Sequence, residues 1–157
     1  MRRTLILAAA LIGSGAVVSA QTVSPDDVAY DEYGSIEVSL SGAAGEPAVG
    51  AEIMSDRGQG NCVACHKVTA LTAAFQGNIG PSLDGAGDRW DEAQLRGIVA
   101  DAKMTFPDTM MPSFYKVSGF IRPGNAYTGK AADDTFTSLL TAQQIEDVVA
   151  YLATLKE

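Results

Sequence analysis

The chain has 157 residues, of which 11 are basic and 19 are acidic, and its formal net charge at pH 7 is −8. This length is sufficient for one domain with its own hydrophobic core. The acidic balance argues against nucleic acid and against anionic membrane surfaces as partners, because both attract basic proteins.

The first 20 residues predict a secretory signal peptide. Arg2 and Arg3 form its positive end, Leu5–Val18 its apolar core, and Val18-Ser19-Ala20 a small-residue cleavage site. The alternative is an uncleaved membrane anchor, but the apolar run is short for a membrane span. Twin arginines also occur in Tat signals, but a single Met precedes them here. We therefore expect Sec export, cleavage after Ala20 and a periplasmic mature protein.

Residues 21–46 form an extension rich in Gly, Ser, Pro and Asp. Within it, Ser35–Leu40 alternates polar and apolar residues, which predicts a short half-buried strand. Ile36, Val38 and Leu40 would then share one apolar edge that something must cover. We expect a partner protein to cover it. Packing back on the same domain and a loosely ordered tail are the alternatives.

Residues 47–157 predict a helical domain. One helix begins at Pro47, a favourable first helical residue, and ends near Gly58. A second helix is expected after Asp91, a good N-cap with Gln94 three residues later, and a third after Thr141, which forms a capping box with Gln144. The last helix carries an amphipathic stripe of aliphatic residues: Ile145, Val148, Val149 and Leu152.

Cys62-Val63-Ala64-Cys65-His66 is the c-type haem attachment pattern. Each thiol can add across one vinyl group of a porphyrin, and His66 then faces the iron as an axial ligand. These are the only cysteines and the only histidine in the chain. The alternatives are a disulfide between Cys62 and Cys65, a zinc site, which needs four ligands, and a thioredoxin-like redox pair.

With no second histidine, methionine is the obvious second axial ligand. Met110 and Met111 lie in a long loop before the last helix, and loops of that length are usually functional. Adjacent residues of an extended segment point to opposite faces, and Pro112 favours the extended conformation for Met111. We predict Met111 as the ligand. Met110, Met104, Lys103 and an open site are the alternatives.

The order of these motifs resembles that of class I cytochromes c over residues 47–157. The resemblance is carried by five features in chain order: a first helix with Gly50, Cys62–His66, Gly80-Pro81-Ser82-Leu83, Met111-Pro112, and a last helix with Tyr151. It implies an all-α fold and one covalently bound haem c. It also implies that the Pro81 carbonyl accepts the His66 proton and that Gly50 packs against Tyr151.

A narrower resemblance, over nearly the whole mature chain, is to the SoxX family, the small monohaem subunits of SoxAX complexes in bacterial sulfur oxidation. It is carried by three runs: residues 60–66, residues 80–90 and residues 106–115. The resemblance implies a heterodimer with a larger SoxA-type cytochrome, which carries the reactive cysteine. It also implies a sulfur-carrier protein reached through the complex and a small soluble cytochrome as electron acceptor.

On this resemblance the chain is the electron-accepting haem subunit of an L-cysteine S-thiosulfotransferase complex. It has no spare cysteine and therefore no catalytic nucleophile of its own. A free periplasmic electron carrier serving an oxidase or reductase is the alternative. A catalytic haem protein such as a peroxidase is a third hypothesis, but it would need an open iron position.

Overall fold

The computed structural model describes residues 21–124, 129–133 and 135–157, and the predicted signal peptide of residues 1–20 lies outside them. In these ranges the chain forms four α-helices and no strand: α1 (Pro47–Ser55), α2 (Ala86–Arg89), α3 (Glu92–Asp101) and α4 (Ala142–Thr154). Short 3-10 helices lie at Pro25–Asp27, Cys62–Ala64 and Ala102–Met104. No described helix has the length and apolar character needed to cross a membrane.

The predicted N-cap at Asp91 and the predicted capping box at Thr141 are confirmed, and Asp91 also forms a capping box. At the start of α3 the Asp91 carboxylate accepts from the Gln94 N–H at 2.9 Å, and the Gln94 side chain accepts from the Asp91 N–H at 3.0 Å. Thr141 and Gln144 make the same reciprocal pair at the start of α4. Each box satisfies amide groups that a helix start leaves without partners. The predicted apolar stripe of α4 is buried.

Helices α1 and α4 cross in direct backbone contact. A Cβ atom at Gly50 would lie 2.0 Å from the carbonyl oxygen of Asp147 and 3.0 Å from the Cβ of Tyr151. The backbone of Glu46, just before α1, donates to the Asp147 carboxylate at 2.9 Å. The expected packing of Gly50 against Tyr151 is therefore confirmed, and only glycine permits so close a crossing.

The predicted strand at Ser35–Leu40 was wrong. Ile36 and Leu40 are 2% and 1% exposed, whereas Val38 between them is 68% exposed. The backbone of this segment bonds to helices and to other residues of the extension instead of to another strand. The Ile36 N–H, for example, donates to the carbonyl oxygen of Ala93 in α3 at 3.0 Å.

A buried ion pair attaches the extension to the helices. The Arg96 guanidinium of α3 lies 2.8 Å from the Glu146 carboxylate of α4, and both side chains are buried. Arg96 also donates to the carbonyl oxygen of Ile36 at 2.8 Å, and Glu146 accepts from the Leu40 N–H at 2.7 Å. Ile36 and Leu40 belong to the same hydrophobic core as the helices. The domain itself thus covers the apolar side of the extension, which was the alternative to a partner interface.

We predict that Ile36→Ala lowers the free energy of unfolding by about 2–5 kcal/mol, because it leaves a cavity in the core. Val38→Ala is the matched control, and an exposed site of this kind changes stability by no more than about 0.5 kcal/mol. Denaturant unfolding of the purified protein measures both. Equal losses for the two variants would show that the extension does not contribute its aliphatic side chains to the core.

Candidate haem site

The attachment motif lies in a tight turn that follows α1 after a short loop, residues 56–61. Asn61 has φ 47°, in the left-handed region that asparagine tolerates better than most residues. The carbonyl oxygen of Cys62 then accepts from the N–H groups of Cys65 at 3.1 Å and His66 at 3.0 Å. One turn therefore carries both cysteines and the histidine, which is required if the cysteines are to bond to a haem whose iron the histidine binds.

The His66 ring is fixed by the loop that contains Pro81. Its Nδ1 lies 2.7 Å from the Pro81 carbonyl oxygen, which can only accept a hydrogen bond. Nδ1 must therefore carry the proton, which leaves the lone pair of Nε2 available for a metal. A Cβ atom at Gly80 would lie only 2.2 Å from the ring carbon Cε1 of His66, so glycine is needed beside the ring.

Both cysteines are free and partly buried, with no bond between them. Burial raises the pKa of the Cys62 thiol to about 11, so the group is a neutral thiol at physiological pH. Two free thiols on one turn can each add to a vinyl group: the S–H bond and the vinyl double bond give one C–S and one C–H bond, with no leaving group. The residues present therefore fit a covalently attached haem.

The loop between the motif and Pro81 is held by side chains that sequence analysis missed. The Gln76 amide accepts from the Val68 N–H at 2.6 Å and donates to the carbonyl oxygen of Leu71 at 2.8 Å. Asp84 accepts from the Thr69 N–H at 2.8 Å and hydroxyl at 2.7 Å, and these bonds hold the pKa of its carboxyl below the usual range. A single Gln or Asp in a loop gives no sequence signal for such contacts.

The candidate methionines differ in their surroundings. Met111 is partly buried and packs against the hydrophobic core, whereas Met110 is 79% exposed and Met104 is 47% exposed. The backbone N–H of Met111 donates to the Thr109 hydroxyl at 3.2 Å. Lys103, another candidate, donates from its ammonium to the Met111 carbonyl oxygen at 2.5 Å. The assignment of Met111 as a ligand stays a prediction, and its position at the edge of the core favours it over its neighbour.

The chain is similar to one protein family and to two solved structures. The family model for cytochrome c matches residues 48–156. A chain in the crystal structure of SoxXA from P. pantotrophus is 58% identical, with a TM-score of 0.84, and the match covers 87% of this chain and 100% of that one. The c-type cytochrome SorU from Sinorhizobium meliloti matches at 23% identity with a TM-score of 0.44, over 70% of this chain and 90% of that one. A search of curated protein sequences gave no match.

We predict that Gly80→Ala displaces the His66 ring, since the added methyl group would overlap it. The variant should yield less haem-loaded protein when it is expressed with a haem-attachment system, as measured by haem absorbance per mole of polypeptide. Gly58→Ala is the control, because its Cβ would meet only the flexible carboxylate of Asp56 at 3.3 Å. Equal loading of the two variants would contradict a tight fit between Gly80 and the ring.

Proposed function

The chain belongs to the cytochrome c family, and from this premise we propose that it is the SoxX-type monohaem subunit of a periplasmic SoxAX complex. The observation that carries the proposal is the 58% identity to a chain of the SoxXA structure over that chain's whole length. The share of this chain that is matched, 87%, is also the share that remains when residues 1–20 are removed. This agrees with cleavage after Ala20.

The chain's own residues have distinct roles in this function. Cys62 and Cys65 hold one haem c through two thioether bonds, and the bound haem supplies a one-electron redox couple. His66 is the proximal ligand, and its hydrogen bond to Pro81 keeps Nδ1 protonated and the ring orientation fixed. Met111 would supply a thioether sulfur to the iron, and thioether ligation would raise the reduction potential of the bound haem.

The sulfur chemistry itself belongs to the partner. Joining thiosulfate to the cysteine thiol of a carrier protein removes two electrons, and the resemblance to SoxX proteins assigns the reactive cysteine to the larger subunit. The only cysteines here are Cys62 and Cys65, and both are used for haem attachment. The role proposed for this subunit is therefore to accept electrons from the larger SoxA-type subunit and to pass them to a small soluble cytochrome.

The runner-up function is a free periplasmic electron carrier, which needs the same haem site but no fixed partner. The full-length similarity to a chain that was crystallised within SoxXA favours the complex. A peroxidase-like role would require an open iron position, and a partly buried Met111 at the edge of the core argues against one.

We predict that Met111→Ala abolishes the sulfur-to-iron charge-transfer band of the oxidised protein. It should also lower the reduction potential, because a thioether ligand favours the reduced iron. Met110→Ala is the matched control and should change neither, since that side chain is largely solvent-exposed. The reverse pattern in visible spectra and redox titration would show that Met110 is the ligand.

Co-expression with a SoxA-type cytochrome tests the proposed complex. The two chains should co-elute as a heterodimer in size-exclusion chromatography, and the haem of this subunit should be reduced when thiosulfate and the carrier protein are added. The Met111→Ala complex should assemble equally well but show less reduction at equilibrium. A chain that elutes alone and exchanges electrons directly with an oxidase would favour the free carrier.

A further inference from the structure

The last residue of α3, Asp101, is a buried acceptor for groups on both sides of Met111 in sequence. Asp101 is 4% exposed. One carboxylate oxygen accepts from the Ser113 hydroxyl at 2.6 Å and from the Lys103 N–H at 3.2 Å. The other oxygen accepts from the Lys116 ammonium at 2.9 Å. A single carboxylate thus bonds to the turn after α3 and to the segment that follows Met111.

The backbone around Met111 is held by the same group of residues. The Lys103 ammonium donates to the Met111 carbonyl oxygen, and Lys103 is itself fixed by its N–H bond to Asp101. Beyond Ser113, the Tyr115 N–H donates to the carbonyl oxygen of Ala100 in α3 at 3.0 Å. The loop is therefore attached to the end of α3 on both sides of the predicted ligand.

We propose that Asp101 is a positioning residue that holds the Met111 loop in the arrangement needed for distal ligation of the haem iron. The inference rests on the proposed function, in which Met111 is the distal ligand. Asp101 does not contact the iron itself. It acts through Ser113 and Lys103, and loss of its charge would release the loop without removing the thioether.

The electrostatic surroundings agree with an ionised Asp101. Burial by itself would raise the pKa of this carboxyl, but hydrogen bonds from Ser113 and Lys116 outweigh burial and place the pKa below its usual value. Tyr30 lies close to Asp101. Its own burial, together with the negative charge of Asp101, raises the pKa of Tyr30 to about 12. At neutral pH Asp101 is therefore a carboxylate and Tyr30 a neutral phenol.

The test is the binding of imidazole to the oxidised holoprotein, because imidazole must displace the distal ligand and open the loop. Asp101→Asn preserves the side-chain shape but removes the charge. It should raise the apparent affinity for imidazole about tenfold, since charge-assisted hydrogen bonds hold the closed loop. The sulfur-to-iron band should also disappear at a lower temperature than the helical signal in circular dichroism.

Glu146→Gln is the matched control, because it disrupts the other buried ion pair, between Arg96 and Glu146, and leaves the Asp101 bonds in place. It should lower the midpoint of global unfolding and leave the affinity for imidazole within about twofold of the starting protein, because no bond to the loop is lost. Ser113→Ala removes only the hydroxyl bond to Asp101 and should change the affinity in the same direction as Asp101→Asn. If Asp101→Asn yields no holoprotein, the imidazole affinity of Ser113→Ala tests the proposal in its place.

Two results would overturn the proposal while leaving the ligand assignment intact. In the first, Met111→Ala raises the affinity for imidazole but neither Asp101→Asn nor Ser113→Ala does. In the second, Asp101→Asn and Glu146→Gln raise the affinity equally, in proportion to lost stability, so that Asp101 is merely structural. If Met111→Ala itself changes neither the band nor the affinity, the distal-ligand assignment fails, and the Asp101 proposal fails with it.

Discussion

A buried carboxylate on α4, Glu146, joins three parts of the chain that are far apart in sequence. It accepts from Arg96 of α3 and from the backbone of Leu40 in the extension, while Arg96 also holds Ile36. A buried ion pair is tolerated only when its remaining polar atoms are satisfied, and here the extension supplies a donor and an acceptor. The segment before α1 is therefore needed for α3 and α4 to pair in this way.

The two sides of the haem site are attached to the helices in different ways. On the proximal side, α1 is set against α4 by the contact at Gly50, and the turn with Cys62 and His66 follows after a short loop. On the distal side, the end of α3 presents Asp101 to the loop that carries Met111. The bonds of Asp101 thus hold the distal loop and the α1–α4 contact holds the proximal turn, so a site that must hold a metal from two directions is pre-organised on each side.

The parts of the structure that could be predicted are those coded by neighbouring residues. A capping box needs residues three apart, such as Asp91 and Gln94, and haem attachment needs residues three or four apart, so both were visible in the sequence. The packing of the extension could not be predicted in the same way. The alternation of apolar residues does not show that Arg96, 60 residues later in the chain, donates to the carbonyl oxygen of Ile36. Asp101 did offer a weak signal, since an acidic residue is unfavourable at a helix C-terminus and needs compensating donors.

The covered extension changes where a partner interface is to be sought. Removing residues 21–45 would expose the core around Leu40 and leave Glu146 without one of its donors, so a weaker complex would not distinguish lost contact from lost stability. Substitutions of exposed residues avoid this problem. In the long loop before α4, Phe120 packs edge-to-face on Phe136, while the neighbouring Ile121 is 97% exposed. Ile121 can be replaced without opening the core, so it is a better starting point for interface mapping than the extension.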